Sequence, residues 1–230
     1  QLASSIDIIS KLNEQISRHT GDSTPAMDME NVPGYTGSQF IGSIYEAVRK
    51  HQTAIIEYQS FKARNAEKLT VYPYLLKEYR NRWFLIGEKA TNRTPQVNIF
   101  ALDRIHSVEV DPKTPFKKCV DFDPAHYFDD TIGVTRLISD KARRVVIKID
   151  RQMAPYVESK PFHKSQKVEQ RFGNGSIQLS LKVVINPELE RLILGYGGHA
   201  EVIAPPEFRE RIANSIRIAN SHYSDIKPDL

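Results

Sequence analysis

The sequence predicts an α+β protein, with leading helices, a small antiparallel β-barrel, and then a second sheet carrying helices. Three observations support this. Apolar residues recur at three- and four-residue steps in residues 2–17 and about 38–51, then at alternate positions from 54 to 110, and strands alternate with helices from 143 onward. The order after residue 143, β-α-β-β-α-β, is that of the ferredoxin-like fold, with one helix added. The predicted division is 1–53 linker helices, 54–110 barrel, 111–142 connector and 143–230 ferredoxin-like domain.

Residues 2–17, LASSIDIISKLNEQIS, place Leu2, Ile6, Ile9, Leu12 and Ile16 on one face of an amphipathic helix. The Gly-, Pro- and Ser-rich stretch after it has no period and reads as a loop. A second helix, about Ser38 to His51, gathers Phe40, Ile41, Ile44, Tyr45, Ala47 and Val48 on a broad apolar face. The segments AIIEYQSF, LTVYPYLL, RWFLIGE, VNIFALDRI and HSVEV then alternate as short strands, joined by polar turns. Closing five such strands into a barrel removes edges that so small a sheet could not protect.

The connector is rich in Asp and Pro. Beyond it come strand RRVVIKID, helix RQMAPYVES, strand QKVEQRF, a Gly173-Asn174-Gly175 hairpin turn and strand SIQLSLKVV. Helix PELERLILGYG starts at Asn186-Pro187-Glu188 and stops at the glycines 195–198, and strand HAEVIA and a final helix follow.

With 230 residues, 40% of them hydrophobic and 26% charged, the chain has ordinary globular composition. It opens on Gln1 rather than Met, which suggests a fragment. No apolar run approaches the ~20 residues of a membrane span, and a lone cysteine, Cys119, fits a reducing cytoplasm. The net charge of +4 is distributed as −2 over 1–53, +3 over 54–110, −1 over 111–142 and +4 over 143–230. Two mildly basic blocks are compatible with an anionic partner without requiring one.

Catalytic and metal-binding patterns are absent from the sequence. The seven histidines, at 19, 51, 106, 126, 163, 199 and 222, do not stand at metal-ligand spacing with Cys, His or Glu. LGYGGHAE ends a helix and precedes a strand, the reverse of a phosphate-cradling loop. Asp121, Asp123, Asp129 and Asp130 read as a solvated acidic loop, and Arg143, Arg144, Lys148, Lys164 and Lys167 as a solvated basic face. No cofactor is implied.

The barrel carries the remaining signal. Alternation puts Arg82, Phe84 and Ile86 on one face and Trp83 and Leu85 on the other. An unpaired arginine cannot enter so small a core, so Trp83 and Leu85 are the predicted core pair and Phe84 turns outward beside Arg82. The same reasoning groups Tyr72 with Tyr74, and Tyr58 with Ile56 and Ser60. Arginines among aromatic rings suit base stacking and bidentate phosphate pairing. They equally suit a soluble barrel with its tyrosine hydroxyls in water, and alternation alone leaves both readings open.

Four segments in this order, IIEYQSF, VYPYLL, RWFLIG and IFALDRI, resemble the barrel of bacterial WYL-domain transcriptional regulators. KPFHKSQKVEQ, NPELERLILGYG and AEVIAPPEFRERI resemble the WCX extension of that family. The resemblance implies an Sm-like barrel acting as effector sensor, a single-stranded nucleic acid or nucleotide as effector, and a homodimer. It also implies promoter binding through an N-terminal helix-turn-helix domain outside this chain. Tyr58, Tyr74, Trp83 and Arg104 match the family pattern, while Phe84 replaces a usual tyrosine, and Asn98 and Ala101 stand where arginine is common. The candidate ligand residues are Tyr58, Lys62, Tyr72, Tyr74, Arg80, Arg82, Phe84 and Arg104, with Arg64 and Lys77 as further cations that could reach the same mouth. Arg104 could instead pair with Asp103. The expected function is that of a non-enzymatic sensor, and the alternative is an assembly module without an effector.

Overall fold

The computed structural model describes residues 37–223. The helix expected over residues 2–17 lies outside them. The chain forms two compact units, Gln1–Cys119 and Val120–Leu230.

In the first unit a 3-10 turn, Ser38–Phe40, leads into helix α1, Ile41–Lys50. Helical spacing brings Ile44 and Ala47 to one face, where both are fully buried. Arg49 and Lys50 in the last turn complement the dipole. His51, at φ 50°, caps the helix with its N–H on the Ala47 and Val48 carbonyls.

The strands are β1 (Thr53–Tyr58), β2 (Glu67–Tyr79), β3 (Arg82–Lys89), β4 (Asn98–Ala101) and β5 (Ile105–Asp111). They pair antiparallel in the order β4-β3-β2-β1-β5. The strands at the two ends of that order, β4 and β5, are joined only by the 3-10 turn Leu102–Arg104. Three residues cannot span a flat five-stranded sheet at ~4.8 Å per strand, so the sheet curls until its ends meet. This is the barrel the alternation predicts. Ile44, Ala54, Ile56, Val71, Leu85, Phe100, Leu102 and Ile105 fill it, with Trp83 and Tyr58 packed against them. Each fully buried aliphatic side chain there contributes roughly 1.5–3 kcal/mol of transfer free energy.

The second unit has β6 (Arg143–Ile149), α2 (Ala154–Ser159), β7 (Lys167–Arg171), β8 (Ile177–Val183), α3 (Pro187–Leu194), β9 (Ala200–Ala204) and α4 (Pro206–Ser221). Its antiparallel order β7-β8-β6-β9 is the ferredoxin-like arrangement with α4 added. Alternate residues of β6, Val145, Ile147 and Ile149, meet Leu179, Leu181, Leu189, Val202 and Phe208 in a separate core.

The connector is more ordered than its composition suggests. Asn186 caps α3 by accepting the Leu189 N–H at 2.9 Å, and its amide donates to the Ile132 and Thr135 carbonyls at 2.8 and 3.0 Å. The buried Glu188 accepts from the Thr135 hydroxyl at 2.7 Å and backbone N–H at 3.2 Å. Gly133, at φ 86°, lies so close to Glu188 that an added Cβ would fall 2.4 Å from its Cγ. Of the connector acids, Asp130 pairs with Arg136, and Asp129 lies 2.6 Å from Lys164 and 3.0 Å from His126.

Candidate ligand site on the barrel

β2 and β3 are joined by the two-residue turn Arg80-Asn81, with φ 50° and 62°. A primed turn of this kind matches the strand twist, and Asn81 N–H donates to Glu78 Oε1 at 2.5 Å. The turn exposes Arg80, whose guanidinium lies 5.6 Å from the Tyr79 ring centre, and starts β3 at Arg82.

From Arg82 the strand alternates as expected: Leu85 is fully buried in the barrel with Trp83 packed against that core, and Phe84 faces outward. In the ladder Phe84 stands opposite Lys77 on one side and Ala101 on the other, so these three share a face. Burial pulls the Lys77 ammonium below its usual range. The outward face is not open along its length, because Ile86 and Glu88 are buried. Only its Arg82–Phe84 end reaches solvent.

That end meets the Leu102–Arg104 turn. Arg82 Nη2 lies 3.6 Å from Asp103 Oδ2. The next residue, Arg104, lays its guanidinium 4.0 Å from the ring centre of Phe61. Phe61 is 78% exposed, in the β1–β2 loop next to the exposed Lys62. The loop is tied to the turn by Gln59 N–H donating to the Arg104 carbonyl at 3.0 Å. Arg104 Nε is shielded from solvent and makes no hydrogen bond among the described residues. Such a donor is uncommon in a folded protein. Tyr58 completes the neighbourhood, its ring edge-on to Phe100 at 5.3 Å.

The turn is braced from the N-terminal side. Gly37, at φ 97°, approaches so closely that an added Cβ would lie 2.3 Å from the Leu102 carbonyl carbon and oxygen and 2.8 Å from Asp103 N.

Tyr72 and Tyr74 belong elsewhere. β2 is irregular between Pro73 and Leu75, which breaks the simple alternation used to group them. Tyr74 is 8% exposed, with its hydroxyl 3.1 Å from both Glu88 Oε2 and the Lys117 carbonyl. Burial, and then the Glu88 carboxylate, push that hydroxyl far above its usual range. Tyr74 and Tyr72 each meet Phe116 edge-on at 5.9 Å. The expectation that Tyr74 offers a stacking face is therefore corrected, because it is a buried anchor for the segment around Lys117. Asn98 and Ala101, the positions without arginine, are structural. Asn98 Oδ1 accepts from Asn92 Nδ2 at 3.1 Å and Lys89 N–H at 3.3 Å, and Ala101 is buried.

The structure thus brings Tyr58, Lys62, Arg80, Arg82, Phe84 and Arg104 toward one end of the barrel and sets Tyr72 and Tyr74 apart. Phe61 is the residue that sequence reasoning missed. Its place in the segment AIIEYQSF reads as the end of a strand, whereas β1 stops at Tyr58. No group of three metal-ligating side chains occurs among the described residues.

Among solved structures the chain is similar to proteasome accessory factor B/C (PafBC) of Arthrobacter aurescens, at 18% identity over 80% of this chain and 27% of that one, with a TM-score of 0.35. It is also similar to a CRISPR Cas-related protein, at 10% identity over 83% of this chain and 54% of that one, with a TM-score of 0.50. The chain therefore spans about a quarter of the first and about half of the second. The comparison with curated proteins finds no match. The WYL domain family matches residues 39–110 and the WCX domain family residues 141–219, so the chain carries a WYL domain followed by a WCX domain.

Proposed function

We propose that this chain is the effector-sensing region of a bacterial transcription regulator. It binds an anionic ligand, an oligonucleotide or nucleotide, at the Arg82–Arg104 end of the barrel. The observation that carries this reading is Arg104, stacked on the exposed Phe61 with its Nε unsatisfied, beside the solvent-reaching Arg82 and Phe84. Two guanidiniums and exposed rings can pair phosphates and stack bases together. The WYL–WCX pair supports a regulatory role over an enzymatic one. No helix of the described residues is long and apolar enough to cross a membrane, and we take the working compartment to be the cytoplasm.

Ligand binding would act by favouring one arrangement of a homodimer, through its differential affinity for the alternatives. DNA-binding domains N-terminal to this region would read the promoter. A second reading, an assembly module without an effector, draws on Asn98 and Ala101, which leave two expected cations absent.

Fluorescence anisotropy of labelled single-stranded DNA and RNA oligonucleotides, at two salt concentrations, separates the readings. The effector reading expects salt-sensitive binding that Arg82→Ala/Arg104→Ala weakens at least about tenfold, with a log–log salt slope smaller by roughly 1.4. Folded protein that binds neither strand at tens of micromolar would favour the assembly module.

A further inference from the structure

The second unit holds a polar cleft of about 350 Å³, formed where the end of β6, the β7–β8 hairpin turn and the start of β9 converge. Its walls include Lys148, Asp150, Arg151, Asn174, His199 and Glu201. The acceptors on these walls are largely engaged. Asp150 Oδ2 lies 2.5 Å from His199 Nδ1, and Oδ1 accepts the Gln152 and Met153 N–H groups at 2.9 and 3.0 Å. These bonds hold the Asp150 carboxyl below its usual range, His199 first. Glu201 faces Lys148 across the β6–β9 ladder, but its Oε1 is 2.7 Å from Arg209 Nη1. Asn174 Oδ1 accepts from both Ser176 N–H and Oγ–H, at 3.1 and 2.7 Å, and its NH₂ makes no hydrogen bond among the described residues.

The donors are not engaged in the same way. Lys148 Nζ sits 5.2 Å from the Phe172 ring centre, and neither it nor Arg151 makes an ion pair among the described residues. Gly175, at φ 84°, lets the hairpin turn approach Arg151, and an added Cβ there would lie only 3.3 Å from the Arg151 Cβ. Two cations and an amide NH₂ free of partners thus line a space whose carboxylates already have partners. A tetrahedral oxyanion, with several acceptor oxygens, complements this better than a neutral or cationic ligand. The volume suits a small molecule rather than a polymer segment. We propose that the cleft binds a small phosphate ester, at a site independent of the barrel.

The test is isothermal titration of the whole chain with ribose 5-phosphate at constant ionic strength, with ribose as the neutral control. Saturable binding of the ester and none of ribose is expected. Lys148→Ala/Arg151→Ala should weaken it at least tenfold. Asn174→Asp, which keeps the acceptor for Ser176 while removing the amide donor, should weaken it severalfold. Arg82→Ala/Arg104→Ala should leave it unchanged, so this site can fail or stand separately from the barrel reading. Circular dichroism should show each variant folded. The proposal is overturned by absence of saturable binding up to about 10 mM, or by binding that folded Lys148→Ala/Arg151→Ala protein retains.

Discussion

Arg104 and Tyr74 were both singled out by the resemblance, yet they sit in opposite environments. Arg104 keeps an unsatisfied donor and an exposed aromatic partner. Phe61→Ala should therefore weaken oligonucleotide binding severalfold with little loss of stability, and Phe61→Tyr should retain it, both read by anisotropy. Tyr74 is an anchor whose folded pKa lies above its ordinary 10.0. Above that value the unfolded chain releases the proton more readily than the native one, so stability is held below pH 10 and lost as pH rises. Denaturant unfolding at pH 8 and 11 should show this decline, and Tyr74→Phe should reduce it, at about 1–3 kcal/mol cost at pH 8 for the uncompensated Glu88. The outward turn of Arg82 and Phe84 was legible because strand alternation forces it. Tyr74 was not, because the β2 irregularity leaves no sequence signal beyond Pro73. Phe61 was hidden by a strand that ends three residues earlier than its apolar pattern suggests.

At the scale of elements, local chemistry was easier to read than long-range bracing. Asn186-Pro187-Glu188 announces a helix start, and the structure confirms Asn186 as its cap. That the same side chain also fastens residues 132 and 135 depends on partners more than 50 residues away. Asn186→Ala should destabilise the second unit by roughly 2–3 kcal/mol, more than a cap alone, as measured by chemical denaturation. Gly37 is a similar case. Sequence gives it loop character, but only the fold shows that its missing side chain lets the backbone lie against Leu102 and Asp103. Gly37→Ala combines a close backbone contact with a left-handed φ and should cost more than about 1 kcal/mol. Because it moves the turn that carries Arg104, it should also lower oligonucleotide affinity.

Across the whole molecule, each of the two compact units has its own core, with no residue common to both. Leu179→Ala should lower the stability of the second unit by about 2–5 kcal/mol, with amide exchange accelerated in β6 and β8 before any change in the barrel. Acid should act on the same unit. His163 is held neutral, its pKa lowered from 6.5 chiefly by burial, and its Nδ1 accepts the Ser165 N–H at 3.1 Å. The stability it contributes is present above pH 6.5 and lost as pH falls through the lowered folded value. His126 shifts the other way, drawn up by Asp129. The measurement is therefore the difference between wild type and His163→Asn between pH 8 and 5, in which the wild type loses more. A last consequence follows from the way the barrel closes. Its sheet begins at β4 and ends at β5, and the three residues that join them include Asp103 and Arg104. A ligand gripping Arg104 would staple this seam, so bound effector should slow solvent exchange of the β4 and β5 amides while sparing those at the β1–β2 interior.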